Sequence, residues 1–170
     1  MMVGKTNYEV NKDKKAINII REFKAPVEEV WKAWTTSDAL EQWWAPKPWK
    51  AQTEKMDFRE GGCWLYCMVG PEGEKSWVGF DYKNIDPNKR FTARDYFCDE
   101  NGNRHAEFPN MNWTTNFIPT ATGTRVEVRV EFDSEADLEK IIELGFAEGT
   151  AMAYDNLDEL IASAPDLKNT

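Results

Sequence analysis

Hydrophobic residues change their spacing three times along this chain, and each change marks a new kind of element. From Ala16 to Lys24 the run Ala-Ile-Asn-Ile-Ile-Arg-Glu-Phe-Lys is β-branched and partly alternating, which predicts a strand. After Pro26, residues Val27, Val30, Trp31 and Trp34 recur at i, i+3, i+4 and i+7, one face of a helix. Pro26 suits the helix entrance because its missing N–H would have no partner there. Glu28 and Glu29 complement the positive end of the helix dipole. Ser37 or Asp38 is placed to cap a second short helix that ends near Trp43 and Trp44, ahead of Pro46 and Pro48.

The period then returns to two. Strands are expected over Ala51–Phe58, Cys63–Val69, Lys75–Ile85, Arg90–Cys98, Asn112–Pro119 and Thr124–Phe132, with turn residues at 70–73, 86–89, 99–102 and 120–123. Gly61 and Gly62 interrupt the first two strands and read as a bulge or kink in the sheet. In the last strand Val126, Val128 and Val130 alternate with Arg125, Glu127, Arg129 and Glu131, so one face is buried and one is wet, as in an antiparallel sheet. Ser134 and Asp137 resemble a capping box that opens a final helical segment. Its apolar positions run from Leu138 and Ile141 through Phe146, Met152 and Leu157 to Ile161. Gly145 and Gly149 lie inside it, each costing about 1 kcal/mol against Ala, so a break or bend is expected near Gly145.

Residues 1–15 are polar and read as a flexible N-terminal arm, 16–164 as one domain and 165–170 as a C-terminal tail. A chain of 170 residues fits a single domain. Helices flanking a meander of strands predict an α+β fold, with the final helix covering the apolar face of the sheet.

Charge narrows the partners. The net charge of −9, with no clustered Lys and Arg, argues against nucleic acid and against an anionic membrane surface. No stretch approaches the roughly 20 apolar residues of a membrane span, and the polar start lacks a signal-peptide core. A cytoplasmic protein is expected. Three cysteines, an odd count, make no complete disulfide framework.

Candidate chemistry is sparse. His105 is the only histidine. Cys63 and Cys67 lie four residues apart on one expected strand, roughly 13 Å between Cα atoms, too far to share a zinc ion. Cys98 and His105 flank a turn, but Asp99 and Glu100 push a thiol pKa the wrong way for a nucleophile. Phosphate-binding glycine signatures are missing, so no metal and no cofactor is expected. The aromatic content of 13%, with eight Trp, is the remaining signal. Trp64, Tyr66 and Met68 share one strand face; Trp113, Thr115 and Phe117 share another.

Three blocks carry a family resemblance. Phe23-Lys-Ala-Pro-Val-Glu-Glu-Val-Trp-Lys-Ala-Trp34 is continued by Leu40-Glu-Gln-Trp-Trp-Ala-Pro46; the second block is Asp57-Phe-Arg-Glu-Gly-Gly-Cys-Trp-Leu-Tyr-Cys-Met68; the third is Gly145-Phe-Ala-Glu-Gly-Thr-Ala-Met152 with Leu157-Asp-Glu-Leu160. Together these resemble the homologues of the activator of a heat-shock chaperone ATPase (AHSA1-type), within the START-like (SRPBCC) superfamily. The resemblance implies a helix-grip fold: a curved antiparallel sheet around a long C-terminal helix, often with an apolar cavity between them. It supplies no catalytic motif. The co-chaperone that lends the family its name has a further N-terminal domain for its major chaperone contacts, and this chain is expected to lack it.

On that fold, Trp64, Tyr66, Met68, Trp113, Thr115 and Phe117 are expected to line the cavity from the sheet. Trp77, Gly79, Arg94 and Tyr96 are expected to join them, and Phe146, Gly149 and Met152 to face them from the helix. Spacing alone leaves a lined cavity and a filled core equally open. The expected function is binding of a small hydrophobic or aromatic ligand. Two alternatives stay open. One is a START-like cyclase or hydrolase using Asp95, Arg94 and Tyr66. The other is an interaction module, homodimeric or chaperone-associated, presenting Trp43, Trp44, Pro46 and Trp49.

Overall fold

The computed structural model describes residues 1–163; the expected tail over 165–170 lies outside the described residues. Among the described residues nine strands form one antiparallel sheet: β1 (Met2–Val3), β2 (Thr6–Asn11), β3 (Ala16–Phe23), β4 (Lys50–Met56), β5 (Cys63–Val69), β6 (Lys75–Asp86), β7 (Arg90–Cys98), β8 (Met111–Pro119) and β9 (Thr124–Phe132). The spatial order is β1-β2-β3-β9-β8-β7-β6-β5-β4. Helices α1 (Val27–Thr35) and α2 (Ser37–Trp43) follow β3, and α3 (Glu135–Glu143) and α4 (Phe146–Ser163) follow β9. This is the expected α+β helix-grip fold.

Three expectations are corrected. The N-terminal arm is not frayed: β2 pairs with β3 from Asn7↔Ile20 to Asn11↔Ala16, and the side chains of Thr6 and Tyr8 are buried. The polar spacing hid a strand that extends the sheet past β3. Gly61 and Gly62 are not a bulge within a strand. They lie in the β4–β5 turn, where Gly61 and Tyr82 bond through N–H and carbonyl, and Tyr82 N–H returns a bond to Gly62. A Cβ at Gly62 would stand 2.0 Å from the Asp57 carbonyl oxygen.

The helix boundaries follow from local chemistry. Ser134 Oγ accepts the Asp137 N–H at 3.1 Å and caps α3. Neither Ser37 nor Asp38 caps α2; Thr36 holds that position and makes no side-chain capping bond. Gly145 separates α3 from α4 at φ +86°, a left-handed conformation that glycine adopts without a Cβ penalty.

The sheet's inner face is fixed by register. Tyr66 pairs with Val78, Phe80 with Asp95, Ala93 with Trp113, Thr115 with Val128, and Val128's neighbour across β3 is Ile19. At one end α1 plugs this face: Trp31 meets Phe117 at 5.1 Å and Trp34 meets Trp43 at 4.6 Å between ring centroids. Trp34 also packs on Phe23, Phe117 and Tyr154. Here the aromatics are core.

Helix α4 is tied down at its C-terminal half. Buried Arg21 on β3 bonds Thr6 Oγ1 at 2.7 Å and Asp155 Oδ1 at 2.8 Å, and also reaches Asp158. Asn156 Nδ2 donates to the Ala45 carbonyl at 3.0 Å, holding α4 to the segment after α2.

Candidate functional site

Under the N-terminal half of α4 the packing opens into a cavity of about 240 Å³. Its sheet side comprises Tyr66 and Met68 of β5, Ser76, Val78 and Phe80 of β6, Asp95 and Phe97 of β7, and Met111 and Trp113 of β8. Helix α4 covers it with Phe146, Gly149, Thr150, Ala153 and Tyr154; Trp44 and Pro46 close one side. Those α4 positions recur at helical spacing on one face, and three of the five are small. Tyr66, Phe80, Asp95 and Met111 are buried at the inner end, while Pro46, Met68, Ser76, Phe97 and Thr150 are half-exposed and form a mouth.

The volume has an energetic meaning. A dry void of 240 Å³ costs at most about 6 kcal/mol at roughly 24 cal/mol per Å³, a sizeable share of a domain's usual 5–15 kcal/mol of stability. Larger side chains at Gly149 or Ala153 would remove that cost. The space also exceeds the engineered void of about 150 Å³ that admits benzene.

Asp95 is the ionisable carboxylate of this lining and is only 4% exposed. Its Oδ1 accepts the Met111 N–H at 3.0 Å and its Oδ2 accepts the Trp113 Nε1–H at 3.0 Å. Burial pushes its pKa up to about 7, against the pull of those two bonds and of Arg94. Tyr66 hydroxyl accepts the Trp44 Nε1–H at 2.9 Å. Burial holds the Tyr66 phenol far above its ordinary range, so it stays a neutral O–H.

The structure sorts the expected lining residues into three groups. Tyr66, Met68, Trp113, Phe146 and Gly149 meet at the cavity. Trp64, Thr115 and Phe117 share the inner face but sit beside it: Trp64 stacks behind Tyr66 at 3.9 Å, and Phe117 and Thr115 lie toward the α1 end. The other five are corrected. Trp77 pairs with Cys67 and Cys98, Gly79 with Leu65 and Tyr96, and Arg94 with Asp81, all on the outer face. Gly79 is small because Tyr96 lies across it; a Cβ there would be 2.4 Å from the ring. Arg104 covers that ring at 4.0 Å, and Arg94 is spent on Asn112 and Asp133. Met152 is 44% exposed on the outer side of α4.

Sequence reasoning missed Trp44, Pro46, Ser76, Val78, Phe80, Phe97, Met111, Thr150, Ala153 and Tyr154 as lining. Spacing did carry a signal for three of them: Thr150, Ala153 and Tyr154 follow Phe146 at i+4, i+7 and i+8.

The alternative chemistries lose named parts. With Arg94 outside, an acid–base site would rest on Asp95 and Tyr66. Cys98 is buried, and burial together with Asp99 pushes its thiol up to about 11, away from a reactive thiolate. Trp43, Trp44, Pro46 and Trp49 do not form an exposed patch: Trp43 is 1% exposed and donates its Nε1–H to the Ala33 carbonyl at 3.0 Å, and the other three are half-buried. Among the described residues no helix is long and apolar enough to cross a membrane.

Comparison with known proteins agrees with this fold. A family model described as Activator of Hsp90 ATPase homolog 1-like protein matches residues 24–162. No curated protein matches the sequence. Among solved structures, a protein of Arthrobacter aurescens determined by solution NMR is 29% identical, with a TM-score of 0.87, 92% of this chain and 91% of that one being covered. A crystal structure from Mycobacterium smegmatis is 28% identical with a TM-score of 0.86, covering 93% and 97%. One from Nitrosomonas europaea is 25% identical with a TM-score of 0.79, covering 90% and 97%.

Proposed function

The chain belongs to the Activator of Hsp90 ATPase homolog 1-like protein family, and on that footing we propose that it binds a small apolar or aromatic molecule between the sheet and α4. The observation that carries this reading is the 240 Å³ cavity itself, with apolar walls, a mouth, and polar groups confined to a few positions. That is the make-up of a small-molecule site. Asp95 and Tyr66 orient the ligand at the inner end; the aromatic rings supply contact area. The cavity admits a molecule of one or two rings, well below a long lipid chain.

Native mass spectrometry of the protein purified from its producing cells, with solvent extraction in parallel, tests this. The expected result is a retained molecule of low mass released on unfolding, or a cavity that fills stoichiometrically when a two-ring hydrocarbon is added. A folded protein that neither retains nor takes up such a molecule contradicts the reading.

A further inference from the structure

We propose that the ligand of this cavity is an organic cation, an apolar or aromatic amine whose ammonium group meets Asp95 while its hydrocarbon part lies among the rings. This rests on the binding reading above and specifies its chemistry.

The cavity lining holds one carboxylate, Asp95, and no Lys, Arg or His. A buried carboxylate without a close cation is costly, and its own neighbours do not supply one. Arg94, its nearest guanidinium in sequence, projects to the outer face and pairs with Asp133 at 3.1 Å. Each Asp95 oxygen accepts one hydrogen bond from β8, and a carboxylate oxygen has room for two. One acceptor site on each oxygen therefore remains for a ligand donor.

Structural need alone does not call for a charge here. The Met111 N–H and Trp113 Nε1–H reach different oxygens of Asp95, and a protonated carboxyl can accept both, so holding them does not require ionisation. An ammonium donates the hydrogen bonds that the carboxylate still accepts and removes the charge imbalance. The ring faces add a second attraction, because a cation within about 6 Å of an aromatic face is held by the ring quadrupole. Tyr66, Phe80 and Trp113 line the same cavity as Asp95. The net charge of −9 draws cations toward the protein and repels anions. With Asp95 ionised, a fatty-acid carboxylate would place two negative groups together, which disfavours it.

The groups facing Asp95 leave its titration to the ligand. Tyr66 on β5 and Tyr154 on α4 are both raised phenols and stay neutral, β8 offers only the two N–H donors, and Arg94 is the one charge that pulls on it. With burial holding Asp95 up to about 7, the empty site is protonated in mild acid. A bound ammonium requires the ionised form, so amine affinity rises with pH through that value.

The test uses four probes of one shape: naphthylmethylamine, naphthylmethanol, methylnaphthalene and naphthoate, titrated by calorimetry into the full chain. The amine is expected to bind at least about ten-fold more tightly than the alcohol near pH 8, and to lose about ten-fold between pH 8 and pH 5.5 while the alcohol does not change. Asp95→Asn is expected to erase the amine's advantage over the alcohol. Should that variant fail to fold, the pH series on the unmodified chain decides the matter. If the alcohol or naphthoate binds as well as the amine, the cation proposal is overturned while the apolar-ligand reading stands. If none of the four binds a folded protein, the ligand reading itself falls, and the cation proposal with it.

Discussion

The two halves of the groove under the C-terminal helices use the same kind of side chain and end in opposite states. At the α1 end, Trp31, Trp34, Trp43, Phe91 and Phe117 interlock edge to face and fill the space. At the other end Tyr66, Phe80, Trp113 and Phe146 surround a void. The sheet is aromatic in both. The difference lies in the cover. Helix α1 lowers two tryptophans onto the sheet, whereas the first half of α4 presents Gly149, Thr150 and Ala153. Cavity or core is thus decided by the volume of a few helix residues, and aromatic content alone does not distinguish them.

The largest expected effect is in the filled half. Trp34→Ala should cost about 3–5 kcal/mol, lowering Tm by roughly 6–20 °C in a domain of this size, because it opens a hole among rings that are in contact. Thermal denaturation followed by circular dichroism reads this directly. A loss below about 1 kcal/mol would mean that the α1 end is not the packed half.

Asp95 sharpens the open half. Its folded pKa, raised from 3.8 to about 7, stabilises the fold fully below the unfolded value, and that stability is lost as pH rises through about 7. Between about pH 4 and pH 7 the difference is a few kcal/mol at most. Chemical denaturation of the unmodified chain and of Asp95→Asn should therefore show the Asn variant gaining on the parent as pH rises. A constant difference across that range contradicts a buried, uncompensated carboxyl at the cavity.

Ala153→Leu distinguishes void from core by sign. Adding methylene groups to a packed interior costs about 1–3 kcal/mol, while filling space at the cavity should leave stability unchanged or improved. Gly145→Ala should give a modest effect, about 1 kcal/mol of destabilisation, since only the left-handed backbone resists it and the nearest atom to a new Cβ is Glu148 Oε2 at 3.8 Å. Equilibrium unfolding of each variant measures both.

Much of the fold was legible because spacing follows faces. The valines of β9 and the tryptophans of α1 mark their buried sides by period alone. Thr6 and Tyr8 escaped because β2 is short and mostly polar, so its alternation carries little contrast. The site was harder to read, and register explains why. Through the β5–β6 hairpin, Val69 pairs with Lys75 and Tyr66 with Val78, which sends Trp77 and Gly79 outward. On β6 a bulge between Tyr82 and Ile85 shifts the pairing with β7 by one residue. Without it Asp81 would stand opposite Asp95; with it Phe80 does. A single-residue slip turns every following side chain to the other face, and no local pattern in β6 announces it. Large apolar size also misled at Trp77, since the outer face of the sheet takes half-buried aromatics too. On α4, Met152 was drawn inward by its hydrophobicity, although Phe146, Gly149, Thr150 and Ala153 already define the covering face.

The most direct test of the central claim is an NMR titration with methylnaphthalene that follows the indole Nε1–H signals. Trp44 and Trp113 line the cavity and donate to Tyr66 and Asp95, whereas Trp43 donates to the Ala33 carbonyl in the filled half. Saturable shifts at Trp44 and Trp113, with Trp43 nearly still, are the predicted result. No saturable change at those two indoles in the folded protein, or an equal change at all three, would contradict the account.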